Sequence, residues 1–79
     1  MSELTLKDIR KAAGLTRKEA AEKLGLTVRA LANYERGERL PNAYTILEMA
    51  YTYDEAAETV LYAAVNTHRR GQGDSRQER

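Results

Sequence analysis

The segment LTVRALANYERGERLP, residues 26–41, combines hydrogen-bonding and apolar side chains at the spacing of one helix. Its inward-facing residues are expected to be Leu31 and Tyr34. The opposite side carries small, amide and guanidinium groups: Val28, Arg29, Ala32, Asn33 and Arg36. These side chains donate hydrogen bonds or make apolar contacts, but none of them is a nucleophile. The chemistry that they favour is recognition of a binding partner.

Residues elsewhere in the chain predict no reaction centre. There is no cysteine and one histidine, His68, so a zinc site would lack ligands. Glu55 and Glu58 have the spacing of paired helical carboxylates, but no base or nucleophile is expected near them, and solvated acids are the simpler interpretation. We therefore expect no enzymatic activity, no metal, no cofactor and no small-molecule ligand.

Charge is distributed unevenly along the 79 residues. Residues 1–41 carry nine Lys and Arg against six Asp and Glu, whereas residues 42–68 carry four acids and no Lys or Arg. A basic first half joined to an acidic second half indicates that only the first half faces a polyanion. A solvated surface with no such partner is the alternative.

The local signals are all signals of helices. Capping-box patterns at Thr5 and Thr16 begin helices 1 and 2, and Thr27 and Asn42 cap helices 3 and 4. Glycines end the first three helices. Helix 5 is expected over about residues 55–68, after a break near residues 52–55. Since no segment alternates polar and apolar residues, we expect an all-α fold.

These residues resemble a known family. TRKEAAEKLGLTVRALANYERGERLP, with LKDIRKAAGL before it and YTILEMAYTY after it, is similar to the helix-turn-helix domain of phage Cro and C1 repressors. The wider group includes xenobiotic-response-element-type regulators and many antitoxins. The resemblance implies a compact, five-helix, lambda-repressor-like fold with the helix-turn-helix at about residues 17–36. The family often has Gln where this chain has Arg17, and it usually turns with Gly where this chain has Asp54.

The resemblance also implies which residues contact double-stranded DNA. Helix 3 would enter the major groove and read bases with Thr27, Val28, Arg29, Ala32 and Asn33. A guanidinium can bind guanine, and an amide adenine, through two hydrogen bonds each. Phosphate contacts are expected from Arg17, Lys18, Arg36, Arg39 and Asn42. For Arg36, a purely solvated role is an equally good interpretation. Arg10 and Glu35 are expected to form a structural ion pair between helix 1 and the end of helix 3.

One such domain contacts one half-site, and paired half-sites lie about 34 Å apart on B-DNA. We therefore expect a homodimer, with its interface on helix 5 at Ala57, Val60, Leu61 and Ala64. The expected function is sequence-specific transcriptional regulation, most simply repression at an inverted-repeat operator. The alternative is a protein-interaction module of the same fold, such as an antirepressor or antitoxin, which binds a protein partner through helix 5.

The two ends of the chain bear on where the protein is located and how far its domain extends. MSELTLKDIRK has charges where a signal peptide needs apolar residues, and no apolar run approaches the roughly 18 residues of a membrane span. We expect a cytoplasmic protein that binds no membrane. Residues 1–69 are predicted to form one domain, and residues 70–79 a disordered tail, because GQGDSRQER has no apolar residue.

Overall fold

The computed structural model describes the backbone of residues 3–77 and the side chains of residues 3–71. Five α-helices and no strand are found in this part of the chain: α1 (Leu6–Ala12), α2 (Arg17–Leu24), α3 (Val28–Glu35), α4 (Ala43–Tyr53) and α5 (Ala57–Gln77). The expected all-α, five-helix fold is confirmed. Three residues join α2 to α3, and α4 packs extensively on α5.

Side-chain caps begin each of the first four helices. The Thr5 hydroxyl accepts a hydrogen bond from the backbone N–H of Asp8, and the Asp8 carboxylate accepts one from the N–H of Thr5. Thr16 and Glu19 form the same reciprocal pair at the start of α2. Single caps begin the next two helices, at Thr27 and Asn42. Each cap satisfies backbone donors that the helix itself leaves without partners.

The first four helices also end in the same way, at a residue with a left-handed backbone: Gly14, Gly25, Gly37 and Asp54. In each case the following residue donates its N–H to a carbonyl five residues earlier, as Glu38 does to Asn33 (3.0 Å). Asp54, with φ of 58°, takes the position where the family usually has glycine. Aspartate tolerates this conformation better than most L-residues, so α4 ends in the usual way without glycine.

The core lies where the inner faces of all five helices meet. Leu6, Leu31, Met49 and Val60 are among its largest fully buried side chains, and burial of a side chain of this size stabilises the fold by about 1.5–3 kcal/mol. Ala20 is also fully buried. Because the core is built partly from alanine, the helices pack closely.

α5 differs at both ends from the helix predicted over residues 55–68. It begins two residues later, because Asp54 and Glu55 belong to the hydrogen-bonded turn that ends α4. It continues to Gln77 and so includes residues 70–77, which the sequence analysis assigns to a disordered tail. The boundary at residue 69 stays a prediction. α5 has 21 residues, but neither it nor any other described helix has the apolar composition needed to cross a membrane.

Polar contacts along α5 explain why the helix packs beyond its apolar stripe. The hydroxyl of Thr67 accepts a hydrogen bond from the Leu6 N–H (3.0 Å), and the Asn66 amide donates to the Leu4 carbonyl (3.1 Å). One turn later, a methyl group added at Gly71 would lie 2.6 Å from the carbonyl oxygen of Arg36. α5 therefore supports both the start of α1 and the end of α3, and Gly71 permits a close approach rather than ending the helix.

Candidate nucleic-acid interface

The turn between α2 and α3 fixes α3 on the domain while leaving one of its faces exposed. Gly25 has φ of 71°, and the Leu26 N–H donates to the Ala21 carbonyl (2.9 Å). Leu31 is fully buried, and Leu26 and Tyr34 pack partly buried against the core. The helix-turn-helix arrangement predicted for residues 17–36 is therefore present, and α3 lies on the surface with its first turn open.

Three of the predicted base-reading residues lie on this open turn. Thr27 and Arg29 are exposed, and Val28 is 47% exposed. The Thr27 hydroxyl also accepts a hydrogen bond from the Ala30 N–H (3.0 Å), which fixes its side chain at the start of the helix. An apolar, a hydroxyl and a guanidinium group are thus presented together.

Ala32 does not belong to this face. Its side chain is 7% exposed, because the residue follows Leu31 on the side of α3 that packs inward. The prediction that Ala32 is one of the base-reading residues is therefore corrected. Among the apolar residues of the predicted set, Val28 alone is exposed.

Asn33 and Arg36 are joined by a hydrogen bond from Arg36 Nη2 to Asn33 Oδ1 (2.7 Å). The guanidinium of Arg36 also donates to both carboxylate oxygens of Glu38, at 3.0 and 3.3 Å. Hydrogen bonds from Arg36, and less strongly the charge of Arg29, hold the pKa of the Glu38 carboxyl below its ordinary value. The contact of Glu38 with Arg36 was not predicted from the sequence. The signal that could have indicated it is an acidic residue directly after Gly37, two positions beyond Arg36.

The expected ion pair between Arg10 and Glu35 is present, and Arg10 makes more hydrogen bonds than the ion pair alone requires. Arg10 Nε lies 2.6 Å from Glu35 Oε2, Arg10 Nη2 donates to Oε1 (3.1 Å), and Nη1 donates to the Leu15 carbonyl. These bonds to Glu35 raise the pKa of Arg10 above its ordinary value, against the opposing effect of burial. Both side chains are almost fully buried. The pair joins α1 to the end of α3, as a structural ion pair should.

Arg17 shares the same carboxylate. Its Nε donates to Glu35 Oε1 (3.3 Å), while its side chain stays 40% exposed. Arg17 is predicted from the sequence to bind phosphate only, whereas in the structure it also contacts Glu35 of the buried pair. Since its guanidinium is half-exposed at the start of α2, the two roles are compatible.

The remaining predicted phosphate-binding residues lie on the surface beside α2 and α3. Lys18, Arg39 and Asn42 are all exposed. Asn42 Oδ1, the side-chain amide oxygen, accepts the hydrogen bond that caps α4, from the Thr45 N–H (2.9 Å). Its amide N–H groups are the donors that it can offer to a phosphate.

Next to the buried ion pair, Tyr53 has a hydroxyl with no hydrogen-bond partner among the described residues. The side chain is 4% exposed. Burial, with a smaller contribution from the negative charge of Glu35, raises the pKa of the Tyr53 hydroxyl to about 12, and the charge of Arg10 opposes this shift. The residue therefore belongs to the core and not to the binding face.

Two of the four residues assigned to a dimer interface are buried within the domain itself. Val60 and Ala64 are 0% and 1% exposed, because they point from α5 into the core. This corrects their assignment; Ala57 is half-buried, and Leu61 is 51% exposed. Leu61 also lines a shallow apolar groove between α4 and α5 with Ala43, Ile46, Leu47, Ala57 and Glu58. Other exposed apolar side chains on these two helices are Tyr44, Tyr51, Tyr62 and Val65.

Within residues 3–71, no three His, Cys, Asp or Glu side chains come together in an arrangement that could hold a metal ion. Glu58 lines the α4–α5 groove beside apolar residues, and Glu55 is exposed. His68 contacts the Gly37 carbonyl through Nδ1 (3.1 Å). The predicted DNA-binding residues belong to α2, α3 and the loop that joins α3 to α4.

Comparison with known proteins agrees with this geometry. The model of a helix-turn-helix family matches residues 6–58. The HTH-type transcriptional regulator ImmR of Bacillus subtilis (strain 168) is 43% identical over 56 residues, which are 71% of this chain and 44% of that protein. The chain thus spans less than half the length of this curated relative. No solved structure matches the chain significantly.

Proposed function

Because the chain belongs to the Cro/C1-type helix-turn-helix family of DNA-binding transcriptional regulators, we propose that it represses transcription by binding an inverted-repeat operator as a homodimer. α3 lies in the major groove, and the protein blocks access to a promoter. The proposed role is non-enzymatic.

The observation that carries this proposal is the exposed first turn of α3. Val28 and Arg29 point away from a helix that Leu31 anchors in the core. The major groove of B-DNA admits one α-helix, and a guanidinium in this position binds guanine O6 and N7. Rigid anchoring matters because base discrimination depends on side chains held at a fixed distance from the base edges.

Residues around this turn are suited to the DNA backbone. The first N–H groups of α2 and the half-exposed Arg17 favour an anion at that helix end. Exposed Lys18 and Arg39 lie on either side of α3 in the sequence and add positive charge. Contacts of this kind set position and affinity, whereas the bases set the preferred sequence.

Dimerisation is proposed to use the outer face of α4 and α5. Leu47 and Leu61, which are 59% and 51% exposed, line the groove between these helices. A symmetric contact would cover this groove with the same groove of a second copy. Two copies would then reach half-sites about one turn of DNA apart.

The second candidate function is protein binding through the same groove. It is favoured by the acidic charge of residues 42–68, which carry four acids and no Lys or Arg. A partner with basic and apolar residues would complement this surface better than a second acidic copy. Binding of DNA by α3 is compatible with a protein partner in the groove, but that partner and a second copy of the chain would compete for the same surface.

Selection of bound duplexes from a random DNA pool at near-physiological salt tests the proposal. An enriched inverted repeat with half-sites about one turn apart is the expected result. Enrichment of a short, unrepeated site would retain sequence-specific binding but contradict the dimer. Absence of enrichment at any salt concentration would contradict the regulatory role and favour the protein-binding function.

A further inference from the structure

The backbone at the end of α3 returns Glu38 to the exposed face of that helix. Gly37 has φ of 82°, its N–H donates to the Tyr34 carbonyl (3.2 Å), and the Glu38 N–H donates to the Asn33 carbonyl (3.0 Å). These are the two hydrogen bonds of a Schellman turn. The position of Glu38 relative to Asn33 is thus set by main-chain contacts and not by a flexible loop.

Arg36 connects the side chains of these two residues. It donates to Asn33 Oδ1 at 2.7 Å and to the two oxygens of Glu38 at 3.0 and 3.3 Å. A guanidinium has donors only, so the amide atom that faces it must be the carbonyl oxygen. The Asn33 amide is therefore held with Oδ1 toward Arg36 and Nδ2 on the other side. An amide without such a partner can present either edge to a base.

Glu38 is an unfavourable residue for binding a polyanion. It is exposed, and it occupies the guanidinium of Arg36, a candidate DNA-contacting residue that would otherwise be available to a phosphate. Its negative charge also repels the DNA backbone. An acid in this position lowers affinity for every sequence, so a contribution to affinity does not explain it.

We propose that Arg36 and Glu38 are positioning residues that hold the amide of Asn33 in one orientation for base recognition. Glu38 keeps Arg36 on Asn33, and Arg36 sets which edge of the amide meets the base. Overall affinity is reduced and discrimination at one base pair is increased. This inference rests on the proposed function, in which α3 occupies the major groove.

The test compares variants on the duplex selected by the unaltered protein. The base pair that Asn33 reads is identified first, as the position at which Asn33→Ala binds all four base pairs equally well. Dissociation constants are then measured for the selected duplex, for the three duplexes with another base pair at this position, and for a random duplex. Arg36→Ala should reduce discrimination at this base pair by about threefold to tenfold, the value of one hydrogen bond. Glu38→Gln should bind random DNA more tightly and also discriminate less. Arg39→Ala, the control, should weaken all duplexes equally, because Arg39 is an exposed arginine beyond Glu38 in the same loop.

A readout without DNA separates this inference from the proposed function. The side-chain amide of Asn33 should be ordered in ¹⁵N NMR relaxation of the free protein, and Arg36→Ala and Glu38→Gln should each increase its mobility. An amide equally mobile in all three proteins would overturn the inference. So would Arg36→Ala weakening every duplex by the same factor, since Arg36 would then be a phosphate contact. If the amide is ordered but no duplex is selected, the proposed function and the base-recognition role are overturned together. Circular dichroism confirms that each variant is folded.

Discussion

Arg29 and Glu35 lie on the same short helix, and their surroundings give them different roles. Glu35 has a side chain 2% exposed and contacts both Arg10 and Arg17. Removing one partner from such a buried pair leaves an uncompensated charge, which typically costs about 3–5 kcal/mol. Arg29 is exposed on the open turn of α3. A charged residue can thus be assigned to the fold or to binding from its burial and its partners.

Arg29→Ala should relax the preference at one base pair of the selected duplex. The loss should be about 1–3 kcal/mol for the preferred base pair, because a bidentate contact to guanine is removed. Fluorescence anisotropy titrations on duplexes that differ at one position measure this loss. Lys18→Ala is the control and should weaken selected and random DNA alike. An equal loss on both DNAs for Arg29→Ala would contradict base reading by Arg29.

Tyr53→Phe should stabilise the domain most clearly at alkaline pH. The raised pKa of Tyr53, about 12 against 10.0 for the free group, means that the unfolded chain loses this proton first. The stability of the wild-type protein relative to Tyr53→Phe is therefore highest below pH 10 and falls as pH rises toward 12, because the folded state holds back the ionisation of the buried hydroxyl. Urea unfolding should show that, over this pH interval, the free energy of unfolding falls by about 1–3 kcal/mol more for the wild-type protein than for Tyr53→Phe. Parallel pH profiles would contradict the burial of the hydroxyl.

Among the elements, the helix ends show most clearly what a sequence can predict. The caps at Thr5 and Thr16 and the stops at Gly14 and Gly25 depend on residues within one turn of each other, so their signals are local. The continuation of α5 through Gly71 was not predictable in this way, because it accompanies a close approach of Gly71 to Arg36, which is distant in sequence. When a glycine lies inside a helix because another helix packs closely against it, the neighbouring residues do not indicate that the helix continues.

The binding face was predictable where it depends on helical periodicity and the family pattern, and not where it depends on contacts across a turn. Arg29 is exposed, as expected from its place on the outward side of α3. The structural pair of Arg10 and Glu35, which supports this face from within, is present as the family pattern implies. Ala32 was misassigned because alanine is small enough for either side of a helix. The contact of Arg36 with Glu38 crosses the turn at Gly37, and helical periodicity does not extend through such a turn.

Gly37→Ala should destabilise the domain more than Gly25→Ala. Both glycines have a positive φ, 82° and 71°, so each substitution incurs a left-handed backbone cost of about 1–2 kcal/mol. A methyl group at Gly25 meets no atom within 4 Å, whereas one at Gly37 would collide with the Thr67 carbonyl oxygen of α5. Thermal or urea unfolding of the two variants measures the difference. Equal destabilisation would mean that α5 does not pack closely on the end of α3.

At the scale of the whole molecule, the domain has two unlike surfaces. The surface of α2, α3 and the following loop carries Arg17, Lys18, Arg29 and Arg39. The surface of α4 and the first half of α5 is acidic and apolar, with Tyr44, Leu47 and Leu61 exposed. Opposite charges on the two parts orient the domain toward DNA before contact. In the proposed function, the acidic part is the surface that contacts a second protein chain.

Leu61→Glu should prevent self-association without unfolding the domain. Its side chain is 51% exposed in the α4–α5 groove, so a carboxylate is tolerated by the monomer but not by a symmetric apolar contact. Leu40→Glu is a matched control, because Leu40 is 49% exposed and precedes α4 in the loop. Gel filtration with light scattering should show a dimer for the wild type and Leu40→Glu and a monomer for Leu61→Glu. A monomeric wild type, both free and on DNA, would contradict the proposed dimer.

The central claim is that α3 enters the major groove of DNA while α4 and α5 face away from it. Titration of the ¹⁵N-labelled protein with its selected duplex tests this claim most directly, by NMR shifts of backbone amides. Large shifts are expected for residues 16–18, 27–33 and 36–42, with small shifts at Leu61 and Tyr62. Large shifts confined to α4 and α5, with Val28 and Arg29 unchanged, would contradict it.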